Sequence, residues 1–166
     1  MAEVTPIDGL GRMILRGEGA ALDAVGPAFG VPIPRTACRA EAAGPRAALW
    51  LGPDEFLLMC PERDLSAIRD VLVGSLAAHL HALVDVTHRQ LALRISGPDA
   101  ATLLNTGCPL DLHLDAFPID SCTRTILGKA EITLWRRSAD VFHLDVARSY
   151  LPYVRDFLAE ARLGLA

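Results

Sequence analysis

No uninterrupted apolar stretch in this sequence approaches the roughly 18–20 residues that a membrane-spanning helix needs. The opening MAEVTPIDGLGRMILRGEG, interrupted by Arg12 and Arg16, has no apolar run of signal-peptide length. Both absences point to a soluble, cytoplasmic protein with no membrane partner. Positive charge is not in excess either: Lys and Arg number 16 against 20 Asp and Glu, for a net charge of −4. Such a chain repels phosphate backbones on average, and no basic stripe overrides that average, so nucleic acid is not an expected partner. The four cysteines, Cys38, Cys60, Cys108 and Cys122, include no C-x-x-C pair and read as inert thiols in a reducing compartment. GLG and GEG near the start lead into no G-x-x-G phosphate cradle, so Rossmann and Walker patterns are missing. Aromatic residues make up only 5% of the chain, leaving few rings free to form a slot for a flat ligand.

What is present suits a packed fold. Hydrophobic residues are 51% of the 166 positions and charged ones 22%. That is enough for one domain, or for two small half-domains sharing a core. RMILR reads as a strand and GEGAALDAVGPAFG as a helix closed by Gly30. VPIPRTACRAEAAGP reads as a loop. RAALWLGPDEFLLMC is a hairpin turning at Gly52–Asp54, and Pro61 ends its second strand. Leu65, Ile68, Leu72 and Leu76 recur at helical spacing. ALVDVTH and QLALRIS follow as strands, and GPDAATLLNTG as a helix opened by Pro98 and Asp99 and stopped by Gly107. CPLDLHLDAFPID is a loop; SCTRTIL, AEITLWRR and DVFHLDV are strands; the chain closes with a helix bearing Pro152 in its first turn.

At one constant offset Phe56 aligns with Phe142, Leu58 with Leu144, Leu65 with Leu151, Arg69 with Arg155, Asp70 with Asp156 and Leu72 with Leu158. The expected fold is α+β: a single compact domain over residues 1–166, built of two related ferredoxin-like βαββα halves. These run over about residues 10–88 and 89–166.

The search for chemistry centres on VDVTHRQ, residues 84–90, which sets Asp85, His88 and Arg89 close together. On a strand, positions three apart point to opposite faces, so Asp85 and His88 make a poor acid–base dyad and a better polar corner. His79 and His81 are read near a helix end, two apart and on different faces, while His113 and His143 have no partner at a fixed spacing, so no metal is expected. Cys108 sits at a helix C-terminal end, which disfavours a thiolate, and Cys122 has Arg124 two residues on. No catalytic, cofactor-binding or metal-ligating residue emerges.

As a set, LWLGPDEFLL, VDVTHRQLALRISGPDA, GCPLDLHLDAFP, CTRTILGKAEITLW and FHLDVARSY occur in an order that resembles the gamma-subunit family of heterotetrameric sarcosine oxidase. Three positions depart from that pattern: Thr87 stands for serine, Tyr150 for phenylalanine and Asp120 for glycine. The resemblance implies a non-catalytic subunit, similar in fold to the folate-binding part of the glycine-cleavage aminomethyltransferase. It further implies a complex that demethylates sarcosine oxidatively and passes the one-carbon unit to tetrahydrofolate. FAD, FMN, NAD, zinc and tetrahydrofolate would lie on other subunits, the large alpha subunit being the chief partner. Asp85, His88, Arg89, Asp111, Asp115, Arg124 and Arg148 are the candidate interface residues. The alternative is a stand-alone folate-binding or one-carbon transfer protein.

Overall fold

The structure is a computed structural model that describes residues 1–165. It divides into two units, Gly9–Thr87 and Met1–Asp8 with the chain from His88 onward.

The first unit contains β2 (Leu10–Arg16), α1 (Ala20–Phe29), β3 (Ala40–Ala43), β4 (Arg46–Gly52), β5 (Glu55–Pro61), α2 (Leu65–Leu76) and β6 (Ala82–Asp85). Its antiparallel sheet runs in the order β3-β4-β5-β2-β6. Strand alternation sends Met13, Leu15, Ala48, Phe56, Leu58 and Cys60 to one face, where they bury against Leu22, Val25 and Phe29 of α1 and Ile68, Leu72 and Leu76 of α2. Gly30, at φ 77°, ends α1 by returning its N–H to the Gly26 carbonyl at 2.9 Å, a left-handed cap that glycine adopts without a Cβ penalty.

The second unit contains β1 (Glu3–Ile7), β7 (Gln90–Ser96), α3 (Ala100–Asn105), β8 (Cys122–Leu127), β9 (Ala130–Ser138), β10 (Val141–Ala147) and α4 (Leu151–Leu163). Its sheet runs β1-β7-β10-β9-β8, and Ile95, Phe142, Leu144 and Val146 pack with Leu103, Leu104, Val154 and Leu158.

The repeat seen in the sequence is therefore structural. In both units a strand, a helix, three strands and a second helix follow in order, and the strand before the second helix pairs with the first. Leu10 faces Pro61 and Arg16 faces Glu55, just as Gln90 faces Ala147 and Ser96 faces Val141. The fifth strand differs in origin: β6 follows α2 and pairs with β2, whereas β1 comes from the chain's start and pairs with β7. Two segments correct the sequence reading. The proline-rich stretch expected to be a loop carries β3, and β1 was not expected at all.

Candidate functional site

The corner at residues 84–90 is built from a turn, not a continuous strand. β6 stops at Asp85, so the alternation expected to separate Asp85 from His88 does not extend to His88. Asp85 Oδ1 instead accepts the Thr87 N–H at 2.9 Å. Thr87 is buried, and its hydroxyl oxygen accepts the Arg12 N–H at 2.9 Å. The Val86 N–H donates to the Arg12 carbonyl, also at 2.9 Å. Threonine at this position thus satisfies a buried main-chain donor of β2, which serine would also do. Thr87→Val is expected to lower stability by about 1–3 kcal/mol, the cost of leaving that N–H unpaired, while Thr87→Ser stays within about 1 kcal/mol. Urea denaturation of the two variants checks this, and a larger loss for Thr87→Ser than for Thr87→Val would show that the methyl group matters and the hydroxyl does not.

His88 and Arg89 are exposed and are engaged through their carbonyls. Arg148 donates Nε–H to the His88 carbonyl at 2.9 Å and its own N–H to the Arg89 carbonyl at 3.0 Å. Three of the candidate residues thus meet at one place, but as a scaffold and with no acid–base geometry.

Residues 107–120 do form a loop, and their leucines do not all fall on one side as an extended chain would place them. Leu112 and Phe117 are buried in the second unit's core, Leu110 packs against it, and Leu114 is exposed. The segment is curled. Asp111 Oδ1 accepts the His113 N–H at 2.8 Å, and the His113 carbonyl accepts the Phe117 N–H at 2.9 Å. Asp111 therefore shapes a turn, while Asp115 stays exposed beside His113. Asp120 has φ 65°, in the left-handed region that favours glycine and tolerates aspartate. Arg124, exposed on β8, stands opposite Thr133 of β9.

Two buried polar groups escaped the sequence reading. Arg136 of β9 is 2% exposed and holds the loop from inside, donating to the carbonyls of Phe117 and Leu112, each at 2.8 Å. Burial holds its guanidinium below the ordinary arginine value, with Asp140 pulling the other way. His143 and Asp145, two apart on β10, share one face, and His143 Nε2 lies 3.2 Å from Asp145 Oδ2. The same-face rule for strands, applied to FHLDV, would have paired them. Cys60, fully buried in β5, has its thiol pushed up to about 11 by desolvation against the opposing pull of Arg46, so it is a neutral core thiol. His79 and His81 lie beyond the end of α2, and the His81 ring contacts the His79 carbonyl at 2.8 Å.

The model of the sarcosine oxidase gamma subunit family matches residues 16–163. This chain belongs to that family. The gamma subunit of sarcosine oxidase from Arthrobacter sp is 37% identical over 114 residues, 68% of this chain and 55% of the relative. The chain thus spans just over half that relative's length. The solved heterotetrameric sarcosine oxidase from Corynebacterium sp. U-96, in complex with pyrrole 2-carboxylate, superposes with a TM-score of 0.90 at 28% identity, covering 96% of this chain and 83% of the other. Aminomethyltransferase T of the glycine cleavage system from Bartonella henselae gives a TM-score of 0.70 at 12% identity, over 95% of this chain and 45% of that one, a likeness of fold alone.

Proposed function

We propose that this chain is the non-catalytic gamma subunit of a heterotetrameric sarcosine oxidase. The carrying observation is the family match over residues 16–163. In this reading the complex demethylates sarcosine oxidatively to glycine and delivers the one-carbon unit to tetrahydrofolate. FAD, FMN, NAD, zinc and tetrahydrofolate belong to its other subunits, and the large alpha subunit is the chief partner in the cytoplasm. The local geometry supports a scaffold role. Asp85 is engaged in a turn with Thr87, and Arg148 grips the backbone of His88 and Arg89. The side chains of Asp85, His88, Arg89, Asp111, Asp115, Arg124 and Arg148 are all exposed, as candidates for a polar interface rim must be. No helix of the described residues is long and apolar enough to cross a membrane.

Purification of the tagged chain from its native host tests this. The expected result is co-elution with the other subunits and a flavin absorption band from the assembly, while the full chain alone is colourless and makes no peroxide from sarcosine. Recovery of the chain alone, or peroxide production by the single chain, overturns the proposal.

A further inference from the structure

Away from the loop and the corner, the second unit carries a cleft of ≈ 320 Å³ lined by Ile7, Arg94, Arg137, Ser138, Val141 and His143, with Phe142 also bordering it. Its nitrogen-bearing side chains, Arg94, Arg137 and His143, come from three neighbouring strands. In register, Arg94 of β7 stands beside His143 of β10, and His143 beside Trp135 of β9. Arg137 reaches the same group because the β9–β10 register shifts between Val141 and Phe142: Ser138 faces Val141 and Arg136 faces Phe142, leaving Arg137 as the extra residue of a bulge. Bulges of this kind re-aim one side chain, and here the guanidinium is laid over the Trp135 ring, 4.2 Å from its centroid.

The cleft brings two guanidiniums, Arg94 and Arg137, together in a protein that is negative overall. His143, nearly fully buried and held close to Asp145, forms one wall of the cleft. Arg94 and Arg137 are both exposed. Partial burial holds the Arg137 guanidinium below the ordinary arginine value; Asp120 opposes that and the like charge of Arg94 adds to it. Two cations that repel each other across a cleft are relieved by an anion placed between them.

We infer that this cleft binds a small organic carboxylate, gripped by Arg94 and Arg137 against the His143 wall. A carboxylate fits the donors better than phosphate does. Phosphate sites draw on helix N-termini or nests of free backbone N–H groups, and every residue lining this cleft lies on a strand. Planar guanidinium forks match a planar carboxylate, and the side chains of Ile7 and Val141 offer apolar contact to an organic body.

Succinate titrated into the full chain, followed by calorimetry and by the indole resonance of Trp135, tests the inference. Succinate is expected to saturate and to shift the Trp135 signal, while the neutral diamide does neither. Arg94→Gln and Arg137→Gln should each weaken binding by roughly tenfold or more, with unchanged melting temperature, as expected for the loss of one charge-assisted fork. Arg155→Gln, on the exposed side of α4, should leave binding unchanged. Absence of saturation, equal affinity in the cleft variants, or inorganic phosphate binding as tightly as succinate overturns the inference. If the full chain takes up no succinate, an acidic side chain of another protein becomes the remaining occupant and the small-molecule assignment falls.

Discussion

Arg136→Ala is expected to destabilise the protein by about 3–5 kcal/mol, the joint cost of two orphaned buried acceptors and a cavity. The substitution acts in three ways at once. It leaves the carbonyls of Leu112 and Phe117 without their donors at 2.8 Å, and each such buried acceptor costs about 1–3 kcal/mol. It removes a guanidinium lying 4.6 Å from the centroid of Phe142, a ring in the second unit's core. It also opens a cavity at a position that is 2% exposed. Arg136→Lys should recover part of the loss, because one ammonium cannot span two carbonyls as a planar fork does. Urea denaturation gives the magnitude, and amide hydrogen exchange gives the place: protection should fall at Phe117 and Asp120, whose N–H groups bond the His113 and Arg136 carbonyls. A loss below about 1 kcal/mol with unchanged exchange would mean the loop is held by its apolar side chains alone.

The fold was legible wherever burial wrote a period or an apolar run into the sequence. Strands β5 and β10 lie inside their sheets: β5 is a short continuous apolar run, residues 56–60, buried on both faces, while Phe142, Leu144 and Val146 of β10 alternate with His143 and Asp145. The two strands that escaped, β1 and β3, are both sheet edges. EVTPI contains Pro6, which an edge strand tolerates because it has only one neighbour to bond, and AEAA has no β-branched or aromatic residue. Both are strands because a partner pairs with them, and single-sequence reading has no access to that pairing.

The candidate site shows the same division between local and distant information. The turn at Asp85 and Thr87 depends on where β6 stops. That end is set by pairing with β2, and residues 82–88 by themselves read as a longer strand. The role of Arg136 depends on a loop some twenty residues earlier in the chain; an arginine next to another arginine at the end of an apolar strand reads as a solvated terminus. Arg148 was read only as a candidate interface residue, and its hold on the His88 and Arg89 carbonyls needs the register of β7 against β10.

Asp145→Ala should cost about 1–3 kcal/mol, because it leaves a buried polar imidazole without its neighbouring carboxylate. Asp145 is fully buried and the His143 side chain is 4% exposed, so water cannot replace what is removed. His143 Nε2 and Asp145 Oδ2 are 3.2 Å apart, yet their alignment is poor for a hydrogen bond. Two causes of stability are therefore separable. If the carboxylate acts by its charge, Asp145→Asn, nearly the same in volume, loses most of what Asp145→Ala loses. If it acts by filling space beside the rings of His143 and Trp135, whose centroids are 6.0 Å apart, asparagine is tolerated within about 1 kcal/mol. The charge is expected to dominate, since a close but misaligned contact keeps a carboxylate's attraction for the polar ring edge and forfeits only the directional part. Denaturant midpoints of the two variants decide between them. An Asp145→Ala loss below about 1 kcal/mol would show that the pair adds nothing to the fold and that the imidazole is satisfied from elsewhere.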